Sequence, residues 1–456
     1  MKEMELVVLG GGESGVGAAL LGKKLGYKVF LSDKGKLADS YKAVLRQHHL
    51  EFEEGQHTTD RIFAADLVVK SPGIPDTLPM VVELREKGIE VISEIEFAGR
   101  HTDASMVCIT GSNGKTTTTL LVHHILTQSG RDVGLAGNVG HSLAAQVAEK
   151  AHPLYVVELS SFQLDGMFRF RADIAILTNI TPDHLDRYDH KFENYIDSKF
   201  RILQNMRLED LFIYGIDSEA VARKLASLSL QPQAAGFTGG NYADIAGGMA
   251  GRAGMAGEEV VVCLAGREYR IDQNRISIRG RHNVYNAMAA ILACMRLGLS
   301  DEEITRGLET FPQVEHRLET AGVVDGVTYI NDSKATNVDS AWYALDSMQT
   351  PVVWIAGGTD KGNDYSVLSD LVRRKVKILI CMGVDNRKLI DDFKEICPVM
   401  DTHTLADAMA AARKYAWKGD TVLLSPCCAS FDLFKNYEHR GECFKAVVAD
   451  WEKEQK

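Results

Sequence analysis

No apolar run in this 456-residue chain approaches the ~20 residues needed to cross a membrane, so no membrane insertion is expected. Paired cysteine spacing is missing as well. The eight cysteines stand at 108, 263, 294, 381, 397, 427, 428 and 443, with no C-x-x-C pair. Adjacent Cys427-Cys428 suits neither a zinc site nor an ordinary disulfide. All eight are expected to be reduced, mostly buried thiols. An excess of positive charge is lacking too. The formal net charge of −11 argues against nucleic acid as a partner, because duplex binding needs clustered cations. Small anionic substrates stay open, since a few well-placed Lys or Arg in a cleft are enough for them. Ahead of the first glycines the apolar stretch is only Leu6–Leu9, too short for a signal peptide, and the expected compartment is the cytoplasm.

What is present is a globular composition, 45% hydrophobic and 25% charged. The length exceeds one ordinary core and suggests two to four domains. Strand-like runs (5–9, 28–31, 67–70, 90–92, 106–109, 154–158, 174–177, 328–330, 352–356, 378–382 and 421–424) alternate with helical stretches such as 18–25, 116–128, 192–203, 338–348 and 405–416. The alternation predicts an α/β fold with parallel sheets throughout. Three domains are expected: 1–95 Rossmann-like, 96–312 central and P-loop-like, and 313–456 Rossmann-like. Residues 239–257, rich in Gly and Ala without periodicity, read as a mobile surface loop.

The most informative string is Thr110-Gly111-Ser112-Asn113-Gly114-Lys115-Thr116-Thr117, between a strand and a helix. Backbone N–H groups of such a loop, with the positive end of the helix, bind phosphate oxygens. Lys115 is placed to reach the terminal phosphates and the Thr116 hydroxyl to bind Mg²⁺. The strict G-x-x-x-x-G-K-T pattern needs glycine at Ile109, so a shorter T-G-x-N-G-K-T form stands in its place. Nucleotide binding is the reading. Glu158 ends a strand and could ligate a hard cation, or simply face water. By themselves His184, in Asn179-Ile180-Thr181-Pro182-Asp183-His184-Leu185-Asp186, would pass for a structural or surface histidine and Lys199 for a surface lysine. Gly10-Gly11-Gly12-Glu13-Ser14-Gly15 with Asp33 at the next strand end fits G-x-G-x-x-G, a dinucleotide fingerprint when read alone. An NAD-dependent oxidoreductase and a nucleotide-binding regulator therefore remain open on the residues.

The short phosphate loop resembles that of the muramyl ligases and their folylpolyglutamate synthase relatives, and the resemblance extends over essentially the whole chain. It implies ATP and Mg²⁺ as cofactors, with Gly111, Ser112, Asn113, Gly114, Lys115, Thr116 and Thr117 cradling phosphate. The E-x-S-S-F-Q acid Glu158, Thr116, His184 and a carbamylated Lys199 are implied around the metal, and Lys115, His184 and Lys199 as catalytic. A carbamate would give Lys199 a carboxylate-like end where an ammonium would be repelled by the metal. Asn283 and Asn286 of His282-Asn283-Val284-Tyr285-Asn286 are implied near adenine, Arg317 of His316-Arg317-Leu318-Glu319 at the phosphates, and Asp332 and Lys334 of Asp332-Ser333-Lys334-Ala335-Thr336-Asn337 at ribose and phosphate.

Two further strings resemble the D-glutamate-adding members of that family. Gly357-Gly358-Thr359-Asp360-Lys361-Gly362 and Ser425-Pro426-Cys427-Cys428-Ala429-Ser430-Phe431-Asp432-Leu433-Phe434-Lys435-Asn436-Tyr437 imply D-glutamate contacts at Lys361, Ser430 and Tyr437, and Thr336 of the Asp332–Asn337 string is implied to face the same amino acid. The diaminopimelate-type D-N-P-R string is absent. In such members the first domain holds a UDP-sugar instead of a dinucleotide, which implies contacts at Glu13, Ser14, Asp33, Lys34, Ser71, Pro72, Gly73 and Asn138. Here Asp33-Lys34 stands where the family more usually has Asp-Thr-Arg. The implied partners are UDP-N-acetylmuramoyl-L-alanine and D-glutamate, and a monomer is expected. The implied activity is ADP-forming acid–D-amino-acid ligation in peptidoglycan precursor synthesis.

Overall fold

A computed structural model describes residues 4–245, 247–278 and 280–454. Valine- and leucine-rich runs such as Leu6–Leu9 and Leu67–Lys70 are buried along their whole length, as strands covered on both faces must be. The first sheet holds β1 (Glu5–Leu9), β2 (Lys28–Asp33), β3 (Glu51–Glu54), β4 (Leu67–Lys70) and β5 (Glu90–Ser93). They pair in parallel in the order β3-β2-β1-β4-β5. The order reverses between β1 and β4, and ligands of open α/β sheets bind outside the strand ends at such a switch point. Gly10–Gly12 and Ser71–Gly73 follow those two strands.

The second sheet holds β6 (Ser105–Thr110), β7 (Gly134–Gly137), β8 (Leu154–Glu158), β9 (Ile174–Leu177), β10 (Leu211–Gly215), β11 (Gln233–Asn241), β12 (Gly251–Ala256), β13 (Glu259–Leu264) and β14 (Arg267–Asp272). Their order is β14-β13-β12-β11-β10-β9-β6-β8-β7. The third sheet holds β15 (Glu319–Val324), β16 (Val327–Asn331), β17 (Val352–Ala356), β18 (Val376–Met382), β19 (Val399–Thr402) and β20 (Thr421–Leu424), ordered β15-β16-β20-β17-β18-β19. The chain divides into two compact units, Met1–Ser277 with Asn283–Phe311, and Ile278–His282 with Pro312–Lys456. The first unit carries the first two sheets and the second unit the third.

Two expectations are corrected. Residues 239–257 are not simply a surface loop, because the stretch contains β12, paired parallel to β11 and antiparallel to β13. Its glycines misled the reading, and packing explains them. A Cβ on Gly254 would stand 2.8 Å from the Tyr242 backbone, and one on Gly251 2.7 Å from Leu264. The sheets are also not parallel throughout. The β12–β13, β13–β14 and β15–β16 ladders are antiparallel, each pair joined by a short turn that leaves no room for a crossover.

The first helix runs Glu13–Lys24 and so starts well before the expected 18–25. Gly15 and Gly17 are poor helix formers, but both are close-packing positions. A Cβ on Gly15 would come 1.9 Å from the Gly10 carbonyl oxygen, and one on Gly17 1.9 Å from the Ser142 hydroxyl.

Candidate active site

In the first unit the loop after β6 turns into the helix Lys115–Gln128. Gly111 and Gly114 take φ of +144° and +81°, a region favouring glycine. Space forbids a side chain there as well, since Cβ atoms would stand 1.9 Å from Thr178 Oγ1 and 2.4 Å from Asn286 Oδ1. The segment after β9 braces the loop. Thr178 Oγ1 donates to Asn113 O at 2.6 Å, and the amides of Ser112 and Asn113 donate to Asn179 O at 2.9 Å and Asn179 Oδ1 at 3.0 Å. Ser112 Oγ donates to Thr181 O at 2.9 Å. Lys115 curls back so that its Nζ donates to the carbonyls of Gly111 and Ser112, each at 2.8 Å. Thr116 and Thr117 are buried in the first helical turn, whose N–H groups lack intrahelical acceptors.

Glu158 ends β8 directly beside Ile109 of β6. One of its carboxylate oxygens accepts from Asn138 Nδ2 at 2.7 Å; the other is buried with no hydrogen-bond partner. A buried anionic oxygen left so is costly unless a cation or a donor arrives. Lys199, on the helix Phe192–Phe200, is 2% exposed, and its Nζ donates to Thr110 Oγ1 at 3.2 Å. Burial first, and then the charge of Lys115, hold its pKa well below the usual lysine value against the pull of Asp183, Glu158 and Asp165. His184 sits at φ +53° with Nε2 3.6 Å from Asp183 Oδ2 and its ring edge-on to Phe162 at 5.2 Å. Among the described residues no three His, Cys, Asp or Glu side chains form a metal cluster. Asn286 Oδ1 accepts from Thr118 Oγ1 at 3.2 Å, and its Nδ2 donates to Asn283 Oδ1 at 3.1 Å.

At the switch point of the first sheet, Asp33 accepts from the amides of Gly11 at 2.6 Å and Gly35 at 2.7 Å. Lys34 is exposed beside it. Ser71 lies so close to Gly10 that a Cβ there would meet its Oγ at 2.5 Å. Pro72 and Gly73 continue that turn, and Arg187 donates to the Gly73 carbonyl at 3.4 Å. Glu13 opens the first helix, accepts from the Ser142 amide at 3.2 Å, and is followed by half-buried Ser14.

The second unit gathers the remaining residues around the ends of β16, β17 and β20. Asp332 accepts from Ser425 Oγ at 2.8 Å and from the Leu318 amide at 3.2 Å. Burial pushes its pKa up to about 7 despite those donors and Arg317. Arg317 has a buried Nε with no hydrogen-bond partner. Lys334 Nζ lies 5.2 Å from the Tyr437 ring centre. Thr336 follows in the same turn, its amide donating to Lys334 O at 2.9 Å. Lys361 is exposed in the turn after β17, while Ser430 is 2% exposed in the turn after β20. Those two turns pair through Thr359 and Ala429.

Comparison with known proteins decides the family. Three family models match in succession: MurD N-terminal domain over residues 6–78, Mur ligase middle domain over 109–294, and Mur ligase, glutamate ligase domain over 316–428. The chain belongs to the Mur ligase family. A Bacteroides fragilis relative, UDP-N-acetylmuramoylalanine–D-glutamate ligase, is 52% identical over 447 residues, covering 98% of this chain and 99% of its own. The enzyme of that name from Porphyromonas gingivalis is 51% identical over 445 residues, covering 97% and 98%. Among solved structures, the UDP-N-acetylmuramate-alanine ligase of Thermotoga maritima shares the fold at TM-score 0.61 and 20% identity, with both chains fully covered. A pseudomurein peptide ligase type C from Methanothermus fervidus does so at TM-score 0.63 and 20% identity, over 98% of this chain and all of the other.

Within this Mur ligase, Arg440 escaped the sequence reading. It is 1% exposed on the helix Tyr437–Glu454. Its guanidinium donates to Ser333 Oγ at 3.0 Å, Ser333 O at 2.8 Å and Cys428 O at 3.3 Å, joining the turns after β16 and β20. Burial lowers its pKa to about 10, so it keeps its charge at neutral pH. The one signal available was its place three residues beyond Tyr437, one helical turn from an expected contact.

Proposed function

We propose that this chain is an ATP-dependent, ADP-forming ligase that joins D-glutamate to the L-alanine carboxyl of UDP-N-acetylmuramoyl-L-alanine in peptidoglycan precursor synthesis, through an acyl phosphate. The carrying observation is near-end-to-end identity of 52% with a relative of that activity. The site chemistry agrees with it. The partnerless buried oxygen of Glu158, one strand from the phosphate loop, suits a hard cation, so these residues fit Mg²⁺. Thr116, Glu158, His184 and a carbamylated Lys199 would hold it, and bound there it would spread phosphate charge.

Every reactant is an anion, so the chain's own cations carry much of the work. Lys115 and the start of the helix Lys115–Gln128 hold the terminal phosphates in the first unit. Arg317 and Lys334 are assigned to phosphate, and Asp332 to ribose, in the second. The substrate carboxylate attacks the γ-phosphorus and ADP leaves. The D-glutamate amine then attacks the acyl carbon, and phosphate departs. Thr336, Lys361, Ser430 and Tyr437 hold the amino acid. Glu13, Ser14, Asp33, Lys34 and Ser71–Gly73 hold the UDP-sugar, with Asn138 towards its peptide end. In this reading residues 1–95, 96–312 and 313–456 serve the UDP-sugar, ATP and amino acid, and the chain works as a cytoplasmic monomer.

Phosphate release with UDP-N-acetylmuramoyl-L-alanine and a panel of amino acids tests the assignment. Release with D-glutamate alone is expected. Equal release with L-lysine or diaminopimelate overturns it.

A further inference from the structure

The turns carrying Lys361 and Ser430 are joined by more than the Thr359–Ala429 pairing, whose two amide bonds measure 2.8 and 3.2 Å. Asp360 Oδ1 accepts from the amides of Gly362 at 2.6 Å and Asn363 at 3.2 Å, which folds the backbone tightly around Lys361. Its other oxygen accepts from the Tyr365 hydroxyl at 2.7 Å. That hydroxyl accepts from Asn363 Nδ2 at 3.1 Å and lies 3.0 Å from Cys428 Sγ, two residues before Ser430. Asn363 Nδ2 also donates to the Cys427 carbonyl at 3.1 Å. Tyr365 is 1% exposed, its ring packed against Phe393 with centroids 6.2 Å apart. One buried hydroxyl therefore touches both turns and can neither swing away nor exchange its partners for water.

We infer that Tyr365 is a positioning residue for the incoming amino acid: its hydroxyl sets the spacing between the Lys361 turn and the Ser430 turn, and so the length of dicarboxylic amino acid that the pair accepts. The inference rests on the assignment of Lys361 and Ser430 to D-glutamate. Neither turn carries a residue assigned to ATP or the UDP-sugar, so the effect falls first on the amino acid. A rigid pair separated by a fixed distance discriminates by chain length, and a loosened pair does so less.

Steady-state kinetics of the full chain and Tyr365→Phe test this. Losing one buried hydrogen bond to a charged group is worth about tenfold, so KM for D-glutamate should rise about tenfold while kcat and KM for ATP stay within about twofold. The preference for D-glutamate over D-aspartate in kcat/KM should fall by a similar factor. Asn363→Ala removes the other arm of the same clasp from a less buried position. It should shift the same two quantities even if Tyr365→Phe fails to fold. Unchanged D-glutamate KM and selectivity in a folded variant, or an equal loss towards all three substrates, overturns the inference alone. A wild-type chain with no D-glutamate-dependent phosphate release overturns it together with the functional assignment.

Discussion

Lys199 shows how much one position can owe to its surroundings. An exposed lysine is an ammonium and inert towards CO₂. Burial and the neighbouring Lys115 charge favour the neutral amine here, and the neutral amine is the form that adds to CO₂, releasing a proton as the carbamate forms. Lys199→Ala is expected to lower turnover at least about a hundredfold, as loss of a group that organises the site does. A short added carboxylate should restore part of it. Full activity in that variant removes the carbamate from the scheme. At this scale, what could be read in advance was whatever a contiguous string encodes. Gly111, Gly114 and Lys115 act through their own backbone and their neighbours, so spacing alone places them. Arg440 and Tyr365 act through partners 107 and 63 residues away, and apart from the place of Arg440 one helical turn beyond Tyr437 nothing local distinguishes them from surface residues.

At the scale of elements, the helices Glu13–Lys24, Glu94–Gly99 and Leu143–Glu149 interlock around Ser142. Glu94 Oε1 accepts from Ser142 Oγ at 2.7 Å and from the Ala144 amide at 2.6 Å, while Gly17 leaves room for that serine. The carboxyl caps a helix, yet burial outweighs the cap and pushes its pKa from 4.5 up to about 7. The native state therefore holds a proton that the unfolded chain releases. Stability from this group is full below pH 4.5, falls as pH rises to about 7, and is level above that. Glu94→Gln lacks the titration, so its stability relative to wild type should improve by about 3 kcal/mol between pH 5 and 8. Urea unfolding of both proteins at the two pH values measures this, and parallel pH profiles would exclude Glu94. Elements with a clear period were legible from sequence, including β1, β4 and the helix after the phosphate loop. The strand β12 was not, because its glycines are selected by the close approach of Tyr242 and Leu264, a tertiary fact.

On the scale of the whole molecule, the three sheets place most of the assigned contacts at strand ends or in the turns beyond them, where backbone leaves the ladder and is free to serve ligands, while Lys199, Asn283 and Asn286 come from helices. The alternation of strands and helices revealed that much. The hairpins did not show in it, since antiparallel neighbours need only two-residue turns. They give the second sheet its nine strands and make β14 one of its two borders. Along β14, Tyr269 and Ile271 point inward while Glu268, Arg270 and Asp272 are exposed. A growing sheet meets charges of both signs at that border, and a second molecule could add a strand there only by stripping their water. Replacing Glu268 and Arg270 together by valine should bring concentration-dependent association, visible as rising scattered light, at no loss of the fold. If the double variant stays monodisperse, the charges are idle. Otherwise that short row is what tells the widest sheet of the protein where to stop.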